Sequence, residues 1–328
     1  MAGSCVGAEG CDSPIVCVLG PTASGKTALS LDLAEALGGE IVVMDSAQVY
    51  AGLPIGTAKP RADEVARVPH HLLGVLPWSD VCTAARWADM ARPILRDIAR
   101  RGRVPIICGG TFLYLRALRE GLHALPATDP LIRATLEAWA DQDGVAALHA
   151  ELAAADPQTA EHIHPHDRQR TVRALEILRQ TGRGREAHFG DPTSVPWKGP
   201  MLLLALLPTS RDTLRERIAR RFRQMLDEGL WREVEAARAS PAFDPGLPVM
   251  KAVGYRQLFA ALDGQYTADE AIERAIIATR QYAKRQLTWL RRLPDVQWLD
   301  SDAAGLTNAA LECIADWQAR SCAAPRGQ

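Results

Sequence analysis

The sequence predicts an α/β protein, a parallel sheet flanked by helices, on three observations. Short apolar runs alternate with helical stretches, a glycine-rich octapeptide joins the first run to the first helix, and a strand-free tract interrupts the alternation in mid-chain. Residues 14–19, 40–44 ("EIVVM"), 104–108 ("VPIIC") and 201–207 ("MLLLALL") read as buried strands, with "VQWL" at 296–299 a weaker fifth. Between them, "TALSLDLAEAL" (27–37) and "RWADMARPILRDIARRG" (86–102) carry helical periodicity. Alternation of this kind buries a parallel sheet beneath helices on both faces.

From about 125 to 197 the strand-like runs vanish. Helical stretches at 130–140, 144–154 and 168–181 are separated by "DP" and "HPHD", and "FGDPTSVPWKGP" (189–200) leads back to an apolar strand. The expected organisation is a disordered leader over 1–12, a core made by 13–124 and 198–322, and an inserted helical subdomain over 125–197. Beyond 212 the chain is mostly helical, with 267–292 the longest stretch.

Bulk composition narrows the class. The chain has 328 residues, 47% of them hydrophobic and 23% charged, which suits a soluble globular protein with a large core. Formal net charge is −1, so any binding of nucleic acid must come from local patches. The seven cysteines (Cys5, Cys11, Cys17, Cys82, Cys108, Cys313 and Cys322) form no CxxC pair, and fit a reducing cytoplasm. The first residues lack the pattern of a signal peptide, and "MLLLALL" is far too short to cross a membrane. No membrane role is expected, and nothing demands more than a monomer.

The octapeptide "GPTASGKT" (20–27) matches the phosphate-loop pattern G-x-x-x-x-G-K-[ST] in full, with a strand before it and a helix after. Gly20, Pro21, Thr22, Ala23, Ser24 and Gly25 form the curl that points backbone amides at phosphate oxygens, and the following helix adds its dipole. Lys26 supplies a point charge, and the Thr27 hydroxyl suits a Mg²⁺ ion. The fold class is therefore α/β of the P-loop NTPase-like kind, with a helical insertion and a helical C-terminal part. The loop specifies diphosphate recognition and leaves the reaction open.

Further residues collect at the same sheet edge. The run "VVMDSAQVY" (42–50) ends in Asp45, placing a carboxylate where open α/β sheets bind ligands. Its position alone is compatible with a general base, a Mg²⁺ ligand or a helix cap. "VPIICGGTFLY" (104–114) brings Gly109, Gly110 and the Thr111 hydroxyl to that edge, the glycines allowing close approach to a ligand. The His pair in "PHHLLG" (69–74) has no metal-spaced partner and reads as packing or hydrogen bonding. In "RERIARRFRQML" (215–226), Arg217 and Arg221 share a helix face; they suit either a diphosphate clamp or a solvated basic surface. "RQYAKRQLTWLRR" (280–292) has five basic residues and no acid, interleaved with Tyr282 and Trp289; it suits RNA, or an amphipathic helix with Leu287, Trp289 and Leu290 inward. "HPHDRQRTVR" (164–173) is a second basic candidate.

Taken in order, "GPTASGKT", "DSAQVY…IGTAKP", "PHHL", "PIICGGTFLY", "HPHDRQRTVRALE", "RIARRF", "VGYRQL" and "TRQYAKRQLTWLR" resemble the tRNA dimethylallyltransferases, over most of the chain from 20 to 291. The resemblance implies transfer of a dimethylallyl group from its diphosphate to the exocyclic amine of the adenosine 3′-adjacent to the anticodon. On it, Asp45 is the expected base, and Lys26, Thr27 with Mg²⁺, Thr111, Arg217 and Arg221 the groups around the departing diphosphate. It places tRNA contacts at Asp45, Ser46, Ala47 and Gln48, with Gln48 an adenine-edge reader, and at Thr111. Contacts are expected as well at Lys251, Ala252, Val253, Gly254, Tyr255 and Arg256. Arg133 is a further expected contact, and the basic segments add Gln169, Arg170, Thr171, Val172 and Arg173, and Lys284, Arg285, Gln286, Trp289 and Arg291. The target adenine must leave its stack to reach the site. The competing readings are a P-loop kinase, an enzyme prenylating free adenylate, and a non-catalytic tRNA-binding module.

Overall fold

The structure, a computed structural model, describes residues 12–122, 125–188 and 195–323. Its centre is a six-stranded, wholly parallel sheet: β1 (Ile15–Leu19), β2 (Gly39–Met44), β3 (His70–His71), β4 (Val104–Gly109), β5 (Met201–Leu207) and β6 (Val296–Asp300) in the order β3-β2-β4-β1-β5-β6. β1 is buried along its whole length because neighbours flank it on both edges, Val16 pairing with Ile106 and Leu202. Five strands lie where apolar runs predicted them. The sixth, β3, is a two-residue edge strand beside Ile41 and Val42, too short and too polar to signal itself.

Helices cover the sheet in chain order. α1 (Lys26–Leu37) follows the phosphate loop, and α13 (Leu306–Ala323) packs against it; Leu29, Leu33, Leu204 and Ile314 share their core. α3 (Ala84–Arg100) begins two residues before the predicted start, capped by Thr83, whose hydroxyl accepts the Arg86 amide. Its Trp87 is fully buried, donates to Val43 O at 3.0 Å and stacks on Tyr114 of α4 (Phe112–Glu120). The short α2 (Ala62–Arg67) buries no residue.

The C-terminal helices α9 (Arg211–Asp227), α10 (Leu230–Ala239), α11 (Tyr255–Leu262) and α12 (Ala268–Leu290) form a second core around Phe222, Leu230, Val234, Tyr255 and Ile276, closed by Val49, Tyr50 and Leu53 from the chain after β2. α12 opens with a capping box between Thr267 and Glu270.

Glu120–Pro196 form a separate compact unit. It holds α5 (Pro130–Asp143), α6 (Val145–Ala155), α7 (Pro157–Glu161) and α8 (Arg168–Thr181) around Leu136, Leu148, Leu152, Val172 and Leu175. The acids of its "DP" and "HD" punctuation are helix caps: Asp129, Asp156 and Asp167 each accept backbone amides of the helix that follows. Residues 1–11 of the expected leader lie outside the described residues. Asp12, its last residue, is anchored, pairing with Arg96 at 2.7 Å and accepting the Lys198 amide.

Candidate active site

The site is assembled where β1, β2 and β4 end. Across the top of the sheet, the Ser46 amide donates to Thr111 Oγ1 at 3.1 Å, joining the β2 and β4 termini. The Asp45 carboxylate uses one oxygen, Oδ1, to accept the Ala47 and Gln48 amides at 2.8 and 3.2 Å. Its Oδ2 makes no hydrogen bond among the described residues. Burial pushes the Asp45 carboxyl above the usual range, opposed by those two amides and by the charges of Lys26 and Arg221.

The phosphate loop curls through left-handed backbone at Ala23 and Gly25. Lys26 Nζ donates to Pro21 O at 2.6 Å, and burial brings its ammonium down to about 8. Among the described residues the amides of Ala23 and Gly25 meet no protein acceptor, and the first amides of α1 have none within the helix. The Thr27 hydroxyl is likewise without a hydrogen bond, and the buried Ser24 Oγ has no partner. The Thr22 amide differs: it donates to Gln286 Oε1 at 2.9 Å.

A cavity of about 340 Å³ opens beside the loop. Thr22, Ala23, Asp45 and Arg221 line one side, and Ile218, Phe222, Met225, Leu230 and Val253 line an apolar wall. Ser46, Ala47, Lys251, Ala252 and Gly254, all predicted from sequence, reach it as well, and Arg285 and Tyr282 stand on its α12 side. The Tyr282 phenol is pushed up to about 12 by burial and by the nearby Asp45 charge.

Several predicted residues serve elsewhere. Arg217 does not join Arg221 in a clamp, because its guanidinium is taken by Ser301 Oγ at 3.0 Å and by the Asp302 carboxylate. Arg221, one turn on, points to the cavity and reaches Ala58 O at 3.5 Å. Gln48 is no free adenine reader: its side-chain amide donates to Thr57 O and Ala58 O. Tyr255 is fully buried, its hydroxyl donating to Glu233 Oε1 at 2.5 Å. Arg256 is exposed outside the cavity lining. Gln286 is only 5% exposed and holds protein atoms, not solvent. The space beside Gly109 and Gly110 is filled by protein: a Cβ there would lie 2.0 Å from Met44 O and 2.3 Å from Gln286 Nε2.

The basic segments divide in the same way. On α12, Lys284, Arg285 and the adjoining Arg291 are exposed, while Trp289 is half-buried. On α8, Gln169 and Arg170 are exposed, but Thr171 and Val172 are fully buried in the helical unit's own core. Arg173 and Arg133 converge on the buried Glu176 at 3.0 and 3.7 Å, an internal ion cluster rather than a free basic face.

One group had no sequence signal. Glu233 on α10 accepts the Ile55 and Gly56 amides, each at 2.8 Å, together with the Tyr255 hydroxyl. It pins the loop whose Gly56, Thr57 and Ala58 line the cavity. Gly56 is required there, since a Cβ would sit 2.4 Å from the Tyr255 ring. The His pair is accounted for within the sheet: His71 Nε2 lies 2.7 Å from the buried Glu40, and His70 Nδ1 lies 2.9 Å from Val68 O.

A parallel sheet with a phosphate loop at its edge, a carboxylate facing the loop and an apolar wall between define a phosphate-loop transferase. Comparison with known proteins narrows that class. A family model described as IPP transferase matches residues 48–293, and one described as isopentenyl transferase matches 14–73. A tRNA dimethylallyltransferase of Methylococcus capsulatus is 49% identical over 91% of this chain and 96% of its own length; one of Chromohalobacter salexigens is 45% identical over 90% and 95%. The crystal structure of the tRNA isopentenylpyrophosphate transferase of Bacillus halodurans superposes with a TM-score of 0.67 at 36% identity, covering 94% of this chain and 99% of that one. A eukaryotic dimethylallyltransferase caught acting on tRNA gives 0.76 at 28% identity, covering 97% and 81%. The chain belongs to the tRNA dimethylallyltransferase family.

Proposed function

We propose that the protein transfers a dimethylallyl group from dimethylallyl diphosphate to the N6 amine of the adenosine 3′-adjacent to the anticodon of tRNA, releasing diphosphate. The observation that carries this reading is one cavity holding an anion grip, a hydrocarbon wall and a carboxylate. A phosphoryl acceptor has no use for the wall of Ile218, Phe222, Met225 and Leu230, whereas a prenyl chain is seated by it.

In this mechanism the diphosphate lies on the free amides of the phosphate loop, with Lys26 and Arg221 facing it. As the allylic carbon–oxygen bond breaks, these groups stabilise the charge gathering on the leaving oxygens. The adenine amine attacks that carbon, and Asp45 Oδ2 takes the proton the nitrogen sheds, because the amine's lone pair is otherwise delocalised into the ring. The carboxyl's raised affinity for protons suits it to that task. Thr111, hydrogen-bonded to the Ser46 amide, presents its hydroxyl beside the base.

Mg²⁺ fits the donor set, since the unpartnered Thr27 hydroxyl is the hard oxygen ligand such an ion takes. When bound there, the ion supplies positive charge against the diphosphate.

Lys284, Arg285 and Arg291 offer the exposed charge for the tRNA backbone, and Gln169 and Arg170 a second contact. The enzyme acts as a monomer in the cytoplasm; its free thiols at Cys17, Cys82, Cys108 and Cys313 suit a reducing compartment. Incubation with dimethylallyl diphosphate, Mg²⁺ and either tRNA, AMP or no acceptor tests the reading. It expects prenylated adenosine in digests of the tRNA alone; prenylated AMP, or phosphoryl transfer from added ATP, would overturn it.

A further inference from the structure

Gln286 sits on α12 between exposed cations, yet it is buried and both ends of its amide are engaged within the protein. Its Oε1 accepts the Thr22 amide at 2.9 Å, and its Nε2 donates to Gly110 O at 3.0 Å. The two partners belong to different connections, β1 to α1 and β4 to α4, so one side chain ties together the two loops that form the floor of the site. A Cβ at Gly110 would lie 2.3 Å from Gln286 Nε2, so a side chain there displaces the amide.

We propose that Gln286 is a positioning residue that sets the phosphate loop for the donor's diphosphate, an inference that rests on the function proposed above. A phosphate loop binds an anion with whichever amides face it. Gln286 removes one amide from that set by turning Thr22 N–H toward α12. The amides of Ala23 and Gly25 stay without protein acceptors beside the cavity. Without the Gln286 carbonyl, the half-buried Thr22 amide loses its protein acceptor, and it gains another only if the loop shifts. Tyr282, one turn before Gln286, and Arg285 line the cavity, so the α12 face that grips the loop also borders the substrate space.

The variant Q286M keeps length and apolar bulk while deleting both hydrogen bonds. Its KM for dimethylallyl diphosphate and its calorimetric Kd for inorganic pyrophosphate should each rise about tenfold, with the KM for tRNA within about twofold of wild type. G110A puts a methyl group against Nε2 and should reproduce that pattern, with the double variant no worse than the poorer single one. A raised KM for tRNA with donor KM and pyrophosphate binding unchanged would make Gln286 an RNA contact and overturn the inference. A lowered melting temperature with both KM values and pyrophosphate binding unchanged would reduce it to a packing residue, which also overturns it. If wild type prenylates no tRNA, the functional reading fails by itself, while pyrophosphate binding by the variants still tests the positioning claim.

Discussion

Asp45 commits one carboxylate oxygen to the Ala47 and Gln48 amides and keeps the other toward the cavity, so its orientation is set by backbone and its basicity by burial. Replacing it with asparagine preserves the shape and removes the base. The kcat of D45N should fall by about 10²–10⁴, with tRNA affinity in a filter-binding assay nearly unchanged. The pH profile carries two signatures. A carboxyl raised above 3.8 must ionise before it accepts a proton, so kcat/KM should climb on the acid side at a pH above the ordinary Asp value, and D45N should lack that limb. Lys26 is charged only below about 8, so kcat/KM for the donor should decline as pH rises through that value. At this scale the sequence was informative about residue types forced by chemistry, namely the loop, Asp45 and Thr111. It misplaced Arg217, Gln48, Tyr255 and Gln286, because their side-chain partners (Asp302, Thr57, Glu233 and Thr22) are set by tertiary packing and leave no local pattern.

Among the elements, β1, β2, β4 and β5 were legible because strands buried on both faces are nearly continuous apolar runs, Glu40 of β2 excepted. Helix starts are set by caps at Thr83, Asp129 and Thr267; periodicity put the second and third starts close to their caps and the first start two residues late. β3 was not legible, since its two histidines are held by Glu40 and by the β2 backbone instead of by a hydrophobic pattern. That corner also predicts acid sensitivity. Arg101 holds the buried Glu40 at about 2, with burial opposing and His71 assisting, against 4.5 for the ordinary group. A depressed carboxylate stabilises the fold fully above 4.5 and loses that contribution as pH falls through about 2. E40Q should therefore cost about 1–3 kcal/mol in urea melts at pH 7, with the gap to wild type closing toward pH 2. At the 53–60 loop, E233Q sets an amide group against the Ile55 and Gly56 N–H donors. It should raise the donor KM more than the tRNA KM in steady-state assays, because the loop carries part of the cavity wall.

For the molecule as a whole, the near-zero net charge confines RNA binding to patches; α12 and its end expose Lys284, Arg285 and Arg291, while the exposed Arg170 of α8 pairs with Asp167 at 3.4 Å. A K284A/R291A variant should weaken tRNA binding and flatten its dependence on salt by about two phosphate contacts, while pyrophosphate binding persists. The central claim is that a phosphate loop, used in most of its settings to handle nucleoside triphosphates, here releases its diphosphate while the carbon chain moves on. Donor labelled with ¹⁴C in the dimethylallyl group and ³²P in the diphosphate tests this most directly when incubated with tRNA and Mg²⁺. The account predicts ¹⁴C alone on the purified tRNA, with all ³²P recovered as free diphosphate. Phosphorus label on the RNA, or no carbon label there, would contradict it.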